Sequence, residues 1–203
     1  MKPAGRGFSL IELMITLAIL GILLALSASG FRTWMTNARI RTTADSIQNG
    51  LQLARGEAVR RNALIRFQFT STTDSNCVGS LTASNWVISY DDDNIAGKCN
   101  VAMVNEAFPI SDTVHNPQPR ILQLRPAAEG SNNIVLAANQ SAIVFNGLGR
   151  VVPIPANPID IGVVPDPAVG DCTKLRCLKV MVTSAGQIRM CDPQLALTDT
   201  QSC

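Results

Sequence analysis

Gly5-Arg6-Gly7-Phe8-Ser9-Leu10-Ile11-Glu12 opens an apolar run that continues to Phe31. Glu12 is an acid inside a stretch otherwise built of Leu, Ile, Met, Ala, Gly and a few hydroxyl residues. A carboxylate at bilayer depth costs roughly 2.5–3.5 kcal/mol on insertion scales, so its presence there marks a functional position. From Phe8 to Ser29 the chain offers about 33 Å of helix at 1.5 Å per residue, enough to cross a hydrocarbon core. A secretory signal places its small-residue cleavage site after the apolar run. Here the basic leader (Lys2, Arg6) and Gly7 come first, so cleavage at Gly7 leaves the apolar segment on the mature chain. The two leader cations fit a cytoplasmic N-terminus.

The pattern Gly7-Phe8-Ser9-Leu10-Ile11-Glu12 resembles the processing site of type IV prepilins and of type II secretion pseudopilins. The resemblance implies cleavage between Gly7 and Phe8 by the prepilin peptidase, N-methylation of Phe8, and a role for Glu12 in assembly. The alternative is an ordinary anchor that happens to carry an acid. Physical chemistry supports the first. In a stack of such helices Glu12 can meet the charged amine of a neighbouring Phe8, and a buried charge left without its partner is costly, so register is specified.

Outward from the anchor the helical period persists. Ile40, Ala44, Ile47, Leu51, Ala54 and Ala58 form one apolar stripe, with Arg39, Thr42, Asp45, Gln48, Asn49, Gln52 and Glu57 opposite. No proline lies between Pro3 and Pro109, so one long helix is expected, with Gly30 its point of flexing. After Asn62 the period falls to two. Strands are expected at 64–69, 86–90, 121–124, 134–136, 142–145, 150–152, 178–183 and 187–191, with turn chemistry at Asn146-Gly147 and Ala185-Gly186. The segments 91–119 and 153–176 read as loops. In the second, Pro153, Pro155, Pro158, Pro165 and Pro167 argue against a central strand.

The expected fold class is therefore α+β: a pilin-like long helix, its first half transmembrane, packed on an antiparallel sheet. Its parts are a leader (1–7), a transmembrane half-helix (8–31), an amphipathic half-helix (32–62) and a periplasmic β domain (63–203).

Lys2 and Arg6 account for two of the 17 basic residues, leaving 15 against 15 acidic ones on the processed chain, so no global basic excess points to nucleic acid. Arg32, Arg39, Arg41, Arg55, Arg60, Arg61 and Arg66 crowd one segment, read as a solvated helix face. All six cysteines, Cys77, Cys99, Cys172, Cys177, Cys191 and Cys203, follow residue 76. An even number in a translocated domain points to disulfides. Cys77 and Cys99 are the local pair; the other four pair in more than one way. Metal-ligand spacing is confined to Cys172 and Cys177, with the lone His115 far away, so no metal site and no cofactor are expected. Asp91-Asp92-Asp93-Asn94 lacks calcium-loop spacing and reads as an Asx-rich turn. No nucleophile elbow accompanies His115, and no enzyme is expected.

Trp86-Val87-Ile88-Ser89-Tyr90-Asp91, Phe145-Asn146-Gly147-Leu148-Gly149-Arg150 and Gly186-Gln187-Ile188-Arg189-Met190-Cys191-Asp192-Pro193 are similar to segments of the GspH/FimT/FimU family of minor pilins and pseudopilins. That resemblance implies a low-abundance subunit of a type IV pilus that initiates the filament or sits at its tip. Its implied partners are other minor pilins, the major pilin, the prepilin peptidase, the assembly platform and the inner membrane. Some FimT-like members bind DNA through Gly-Arg-x-Arg on a C-terminal hairpin. Gln187 replaces the first arginine here, so DNA binding through Arg189 and Arg150 is the less favoured expectation, with Lys174, Arg176 and Lys179 nearby in sequence. A GspH-like role in type II secretion is the remaining alternative.

Overall fold

A computed structural model describes residues 9–127 and 133–203, with residues 24–29 given as helix backbone alone. Among the described residues α1 (Leu10–Arg61) is followed by nine strands: β1 (Ile65–Thr70), β2 (Asn85–Tyr90), β3 (Ile121–Arg125), β4 (Ile134–Ala138), β5 (Ala142–Phe145), β6 (Val151–Val152), β7 (Ile159–Pro165), β8 (Leu178–Val182) and β9 (Ile188–Cys191). The chain divides into two compact units, Met1–Thr36 and Asn37–Cys203. The helix runs unbroken through Gly30.

In the first unit, Leu10, Ile11, Leu13, Met14, Ile15, Leu17, Ile19, Leu20, Ile22 and Leu23 are all exposed. This stretch is about 21 Å long at 1.5 Å per residue. Among the described residues no helix is long and apolar enough to cross a membrane.

In the second unit the stripe read from the sequence is fully buried: Ile40, Ala44, Ile47, Leu51, Ala54 and Ala58 are inaccessible to solvent. They join one core with Ile65, Phe67, Phe69, Trp86, Ile88, Ile143 and Phe145 from one sheet and Leu136, Ile161, Val163, Val180 and Val182 from another. Gly50 sits where the helix closely approaches β1 and β2. A Cβ there would lie 2.8 Å from the Phe67 ring and 2.9 Å from Trp86, so a weak helix former in the sequence is a contact site in the fold. The Trp86 indole N–H donates to Ser46 Oγ at 3.3 Å. The helix ends at Asn62, whose positive φ of 47° closes the last turn. Arg60 and Arg61 occupy that turn, where cations suit the helix dipole.

The single sheet expected from the sequence is corrected to two. One runs β3-β2-β1-β5-β6 and the other β4-β7-β8-β9, with every paired neighbour antiparallel. The loop assignment for 153–176 is also corrected, because β7 lies inside that segment and in the middle of the second sheet. Pro158 directly precedes β7 and Pro165 ends it, so residues 159–164 keep their ladder donors. Ile159, Ile161, Val163 and Pro165 point inward in strict alternation. Prolines at the two ends delimit a strand as effectively as they exclude one.

β2 is buried on both faces. Its outward Val87 packs with Ile95, Ile121 and the Cys77–Cys99 disulfide in a second small core beneath the loop that follows β1. The remaining cysteines pair as Cys172–Cys177 and Cys191–Cys203, the latter tying the C-terminal residue to the end of β9.

Candidate functional site

Gly7 and Phe8, the expected processing residues, lie outside the described residues. The helix starts where the Ser9 carbonyl accepts the Leu13 amide at 3.2 Å. Glu12 stands exposed in the first turn, where a carboxylate complements the helix dipole. Its neighbours Leu10, Ile11, Leu13 and Met14 are exposed and apolar. Any medium that covers this surface, lipid or a packed helix, desolvates the carboxylate, and only a cation or strong donor there compensates it.

Two of the three motifs that carried the resemblance in the β region, 145–150 and 186–193, meet at a second place. Asn146 Oδ1 accepts the Leu148 and Arg150 amides, both at 3.0 Å, to close the β5–β6 turn. Gly149 in that turn and Gly186 in the β8–β9 turn have φ of 72° and 79°. A Cβ on Gly186 would lie 1.9 Å from the Gly149 carbonyl oxygen; one on Gly149 would lie 2.9 Å from Arg55 Nε. The Val151 amide donates to the Ser184 carbonyl at 3.1 Å. These glycines let the two hairpins touch each other and the last turns of α1, joining the two sheets.

Arg150 is exposed in the first of these turns and Arg189 on β9. Arg189 has a weak contact from Nη2 to Met181 Sδ, 3.8 Å away. Two of the other three cations grouped with them by sequence are neutralised: Arg176 pairs with Asp192 at 2.7 Å and Lys179 with Asp160 at 3.2 Å. Lys174 is exposed beside Asp171.

Three arginines of the cluster, Arg60, Arg61 and Arg66, and the acidic residues 91–93, separate in the sequence reading, fall into two ion-paired groups beside Tyr90. Arg66 pairs with Asp91 at 2.7 Å, and Arg120 with Asp93 at 2.8 Å and Asp92 at 2.5 Å. Arg60 and Arg61 hold Glu57 and Glu106. Tyr90 lies between the two groups, with the Arg120 guanidinium 4.7 Å from its ring centroid and Arg61 donating to its hydroxyl at 3.3 Å. Asn94 Oδ1 accepts the Ala96 amide, the Asx turn expected there. Asp93 and Arg120 are invisible to sequence reading as a pair, because loops carry no period that would bring them together. His115 stacks on Phe108 at 3.6 Å and its Nδ1 lies 2.8 Å from Asp112. Among the described residues no group of three or more His, Cys, Asp or Glu is arranged to hold a metal ion.

Burial pushes the Asp93 carboxyl up, but the hydrogen bonds and charge of Arg120 outweigh it and hold the group below its ordinary value. A depressed carboxyl contributes stability that is present above its unfolded value of about 3.9 and lost as pH falls through the folded one. Asp93 is 3% exposed, so Arg120→Met strands a buried charge. We expect a loss of about 3 kcal/mol at neutral pH, shrinking below about pH 4 as Asp93 protonates in both proteins. Denaturant titrations followed by circular dichroism across that range check this; an equal loss at every pH would contradict it.

A family model described as type II transport protein GspH matches residues 43–186. The chain belongs to the GspH family. The match begins within the buried helical stripe and ends at Gly186, so β9 and the Cys191–Cys203 bridge follow the family segment. A second family model, the prokaryotic N-terminal methylation motif, matches residues 3–28 and contains Gly7, Phe8 and Glu12. This GspH-family chain is thus a minor pilin or pseudopilin carrying the motif of a prepilin-peptidase substrate.

Its fold is that of a type IV minor pilin, FimU of Pseudomonas aeruginosa strain PAO1, at a TM-score of 0.50 and 16% identity, covering 79% of this chain and 97% of that one. The minor pseudopilin EpsH of the Vibrio cholerae type 2 secretion system aligns at a TM-score of 0.41 and 11% identity, over 77% and 99% of the two chains. No curated protein sequence matches the chain. Membership in the family makes it a structural subunit that assembles with other pilins into a pilus or pseudopilus.

Proposed function

We propose that this chain is a minor pilin of a type IV pilus, acting as an initiating or tip-complex subunit. In this reading residues 1–7 are removed by prepilin peptidase at Gly7–Phe8, and Phe8 is N-methylated. Residues 8–31 anchor the chain in the inner membrane in a single pass, and 32–62 continue the helix. The β domain, 63–203, lies in the periplasm until the subunit enters the filament beside other minor pilins, the major pilin and the assembly platform. The observation that carries it is Glu12, an exposed acid in the first helical turn, within a methylation motif and among exposed apolar side chains. Three disulfides stapling the β domain suit an oxidising compartment, which the periplasm and a filament end outside the cell both provide. Following Glu12→Ala through processing, insertion and incorporation tests the proposal.

The FimT-like alternative draws on Arg150 and Arg189, both exposed. Gln187 in place of an arginine, and the carboxylates on Arg176 and Lys179, weigh against it. In a mobility-shift titration the detergent-solubilised chain is expected to give no shifted complex at physiological salt. A salt-sensitive complex that Arg189→Ala abolishes would reverse this preference.

A further inference from the structure

Phe31 and Trp34 lie one helical turn apart, their ring centroids separated by 5.9 Å. They are 56% and 66% exposed, whereas the chain's other tryptophan, Trp86, is 2% exposed. Among the described residues the Trp34 indole N–H meets no acceptor, while that of Trp86 is bonded to Ser46. Arg32, also exposed, follows Phe31 in sequence and lies about 100° round the helix from it. An exposed pair of large rings with a free donor and an adjacent cation is out of place in water and equally out of place in an apolar helix interface, which would orphan the indole N–H.

The spacing along the helix points to a third medium. From Leu10, where the described helix begins, Phe31 is about 32 Å along the axis and Trp34 about 36 Å at 1.5 Å per residue. A hydrocarbon core is about 30 Å thick, and about 40–45 Å with its headgroup layers. With Leu10 at the cytoplasmic edge of the hydrocarbon, Phe31 falls at its far edge and Trp34 among the headgroups beyond it. Aromatic residues with a polar tip prefer that layer, and an arginine there reaches lipid phosphate.

We propose that Phe31 and Trp34, with Arg32, form an interfacial anchor that docks in the periplasmic headgroup layer of the membrane and sets the depth of the helix before assembly. The inference rests on residues 8–31 spanning the bilayer. It gives the helix a defined axial position, so that Glu12 is held at a fixed depth where an incoming subunit must find it.

The test uses the full chain in vesicles of phosphatidylethanolamine and phosphatidylglycerol, brominated in separate preparations near the glycerol end or the methyl end of the acyl chains. Subtracting the emission of Trp34→Phe from that of the unmodified chain isolates Trp34 without disturbing the core. The difference spectrum should be quenched about twice as strongly by the shallow bromine as by the deep one, and be shielded from aqueous iodide. Stronger quenching by the deep bromine would place the ring in the hydrocarbon and overturn the anchor. Free access to iodide with no bromine effect would overturn it too, as would full shielding from both quenchers, which marks cover by protein. Failure of the chain to float with the vesicles would instead overturn the membrane-spanning reading, and this inference with it.

Discussion

Glu12→Ala is expected to leave cleavage at Gly7–Phe8 and membrane insertion intact while lowering incorporation into filaments about a hundredfold. Removing an acid from an apolar helix eases insertion, since a carboxylate at bilayer depth costs roughly 2.5–3.5 kcal/mol. Assembly responds the other way. If Glu12 meets the Phe8 amine of a neighbouring subunit, the variant leaves that amine desolvated and unpaired. Breaking a buried pair from one side costs about 3–5 kcal/mol, and every 1.4 kcal/mol is about tenfold in an equilibrium. Glu12→Gln keeps the shape and loses the charge, so it should behave like the alanine variant. The measurements are N-terminal mass by mass spectrometry, the membrane-bound fraction, and the amount of subunit in sheared filaments. Normal incorporation of either variant would sink the charge-pairing account, and loss of cleavage would move the role of Glu12 to processing.

Gly186→Ala is expected to destabilise the second unit by about 3 kcal/mol or more. Gly186 has φ of 79°, and an alanine in that region costs about 1–2 kcal/mol. Its Cβ would also lie 1.9 Å from the Gly149 carbonyl oxygen. That atom belongs to backbone, so a whole turn has to shift, adding about 1–3 kcal/mol of overpacking. For a chain of this length the expected fall in Tm is about 6–12 °C. Gly56→Ala is the internal control. Gly56 lies inside α1, and a Cβ added there would have nothing within 4 Å, so the same substitution should stabilise by up to about 1 kcal/mol. Thermal unfolding followed by circular dichroism compares the two. Unchanged stability of Gly186→Ala would mean that the two hairpins do not meet at that glycine. Any activity lost with Gly186 has to be read through this structural cost, because the position opens the tetrapeptide 186–189 that resembles a DNA-binding motif.

Much of the framework is legible because it is written in consecutive residues. The buried stripe from Ile40 to Ala58 follows from a period near 3.6, and the burial of all six residues matches it. The strands at 142–145 and 86–90 follow from alternation and flanking turn chemistry. The processing motif is legible for a different reason, since it is a local address whose spacing does not depend on the fold. β7 escapes a sequence reading that counts prolines through the segment, because the effect of proline depends on position: Pro158 precedes the strand and Pro165 ends it. Gly50 reads as a propensity defect in the sequence because its rationale, two aromatic rings at van der Waals range, comes from β1 and β2.

By itself the sequence determined the long amphipathic helix, the antiparallel β content, the acid in an apolar segment and membership in a pilin-type family. Each of these is carried by neighbours along the chain or by residue spacing. Only the tertiary structure decided the partition of the strands into two sheets, the Cys172–Cys177 and Cys191–Cys203 pairs, and the Arg66–Asp91 and Arg120–Asp93 ion pairs. It alone brought Gly149, Gly186 and Arg55 together. The physical reason is that loop-closure entropy grows only with the logarithm of loop length. Many pairings of distant elements therefore cost nearly the same until the shared core of helix and sheets selects among them.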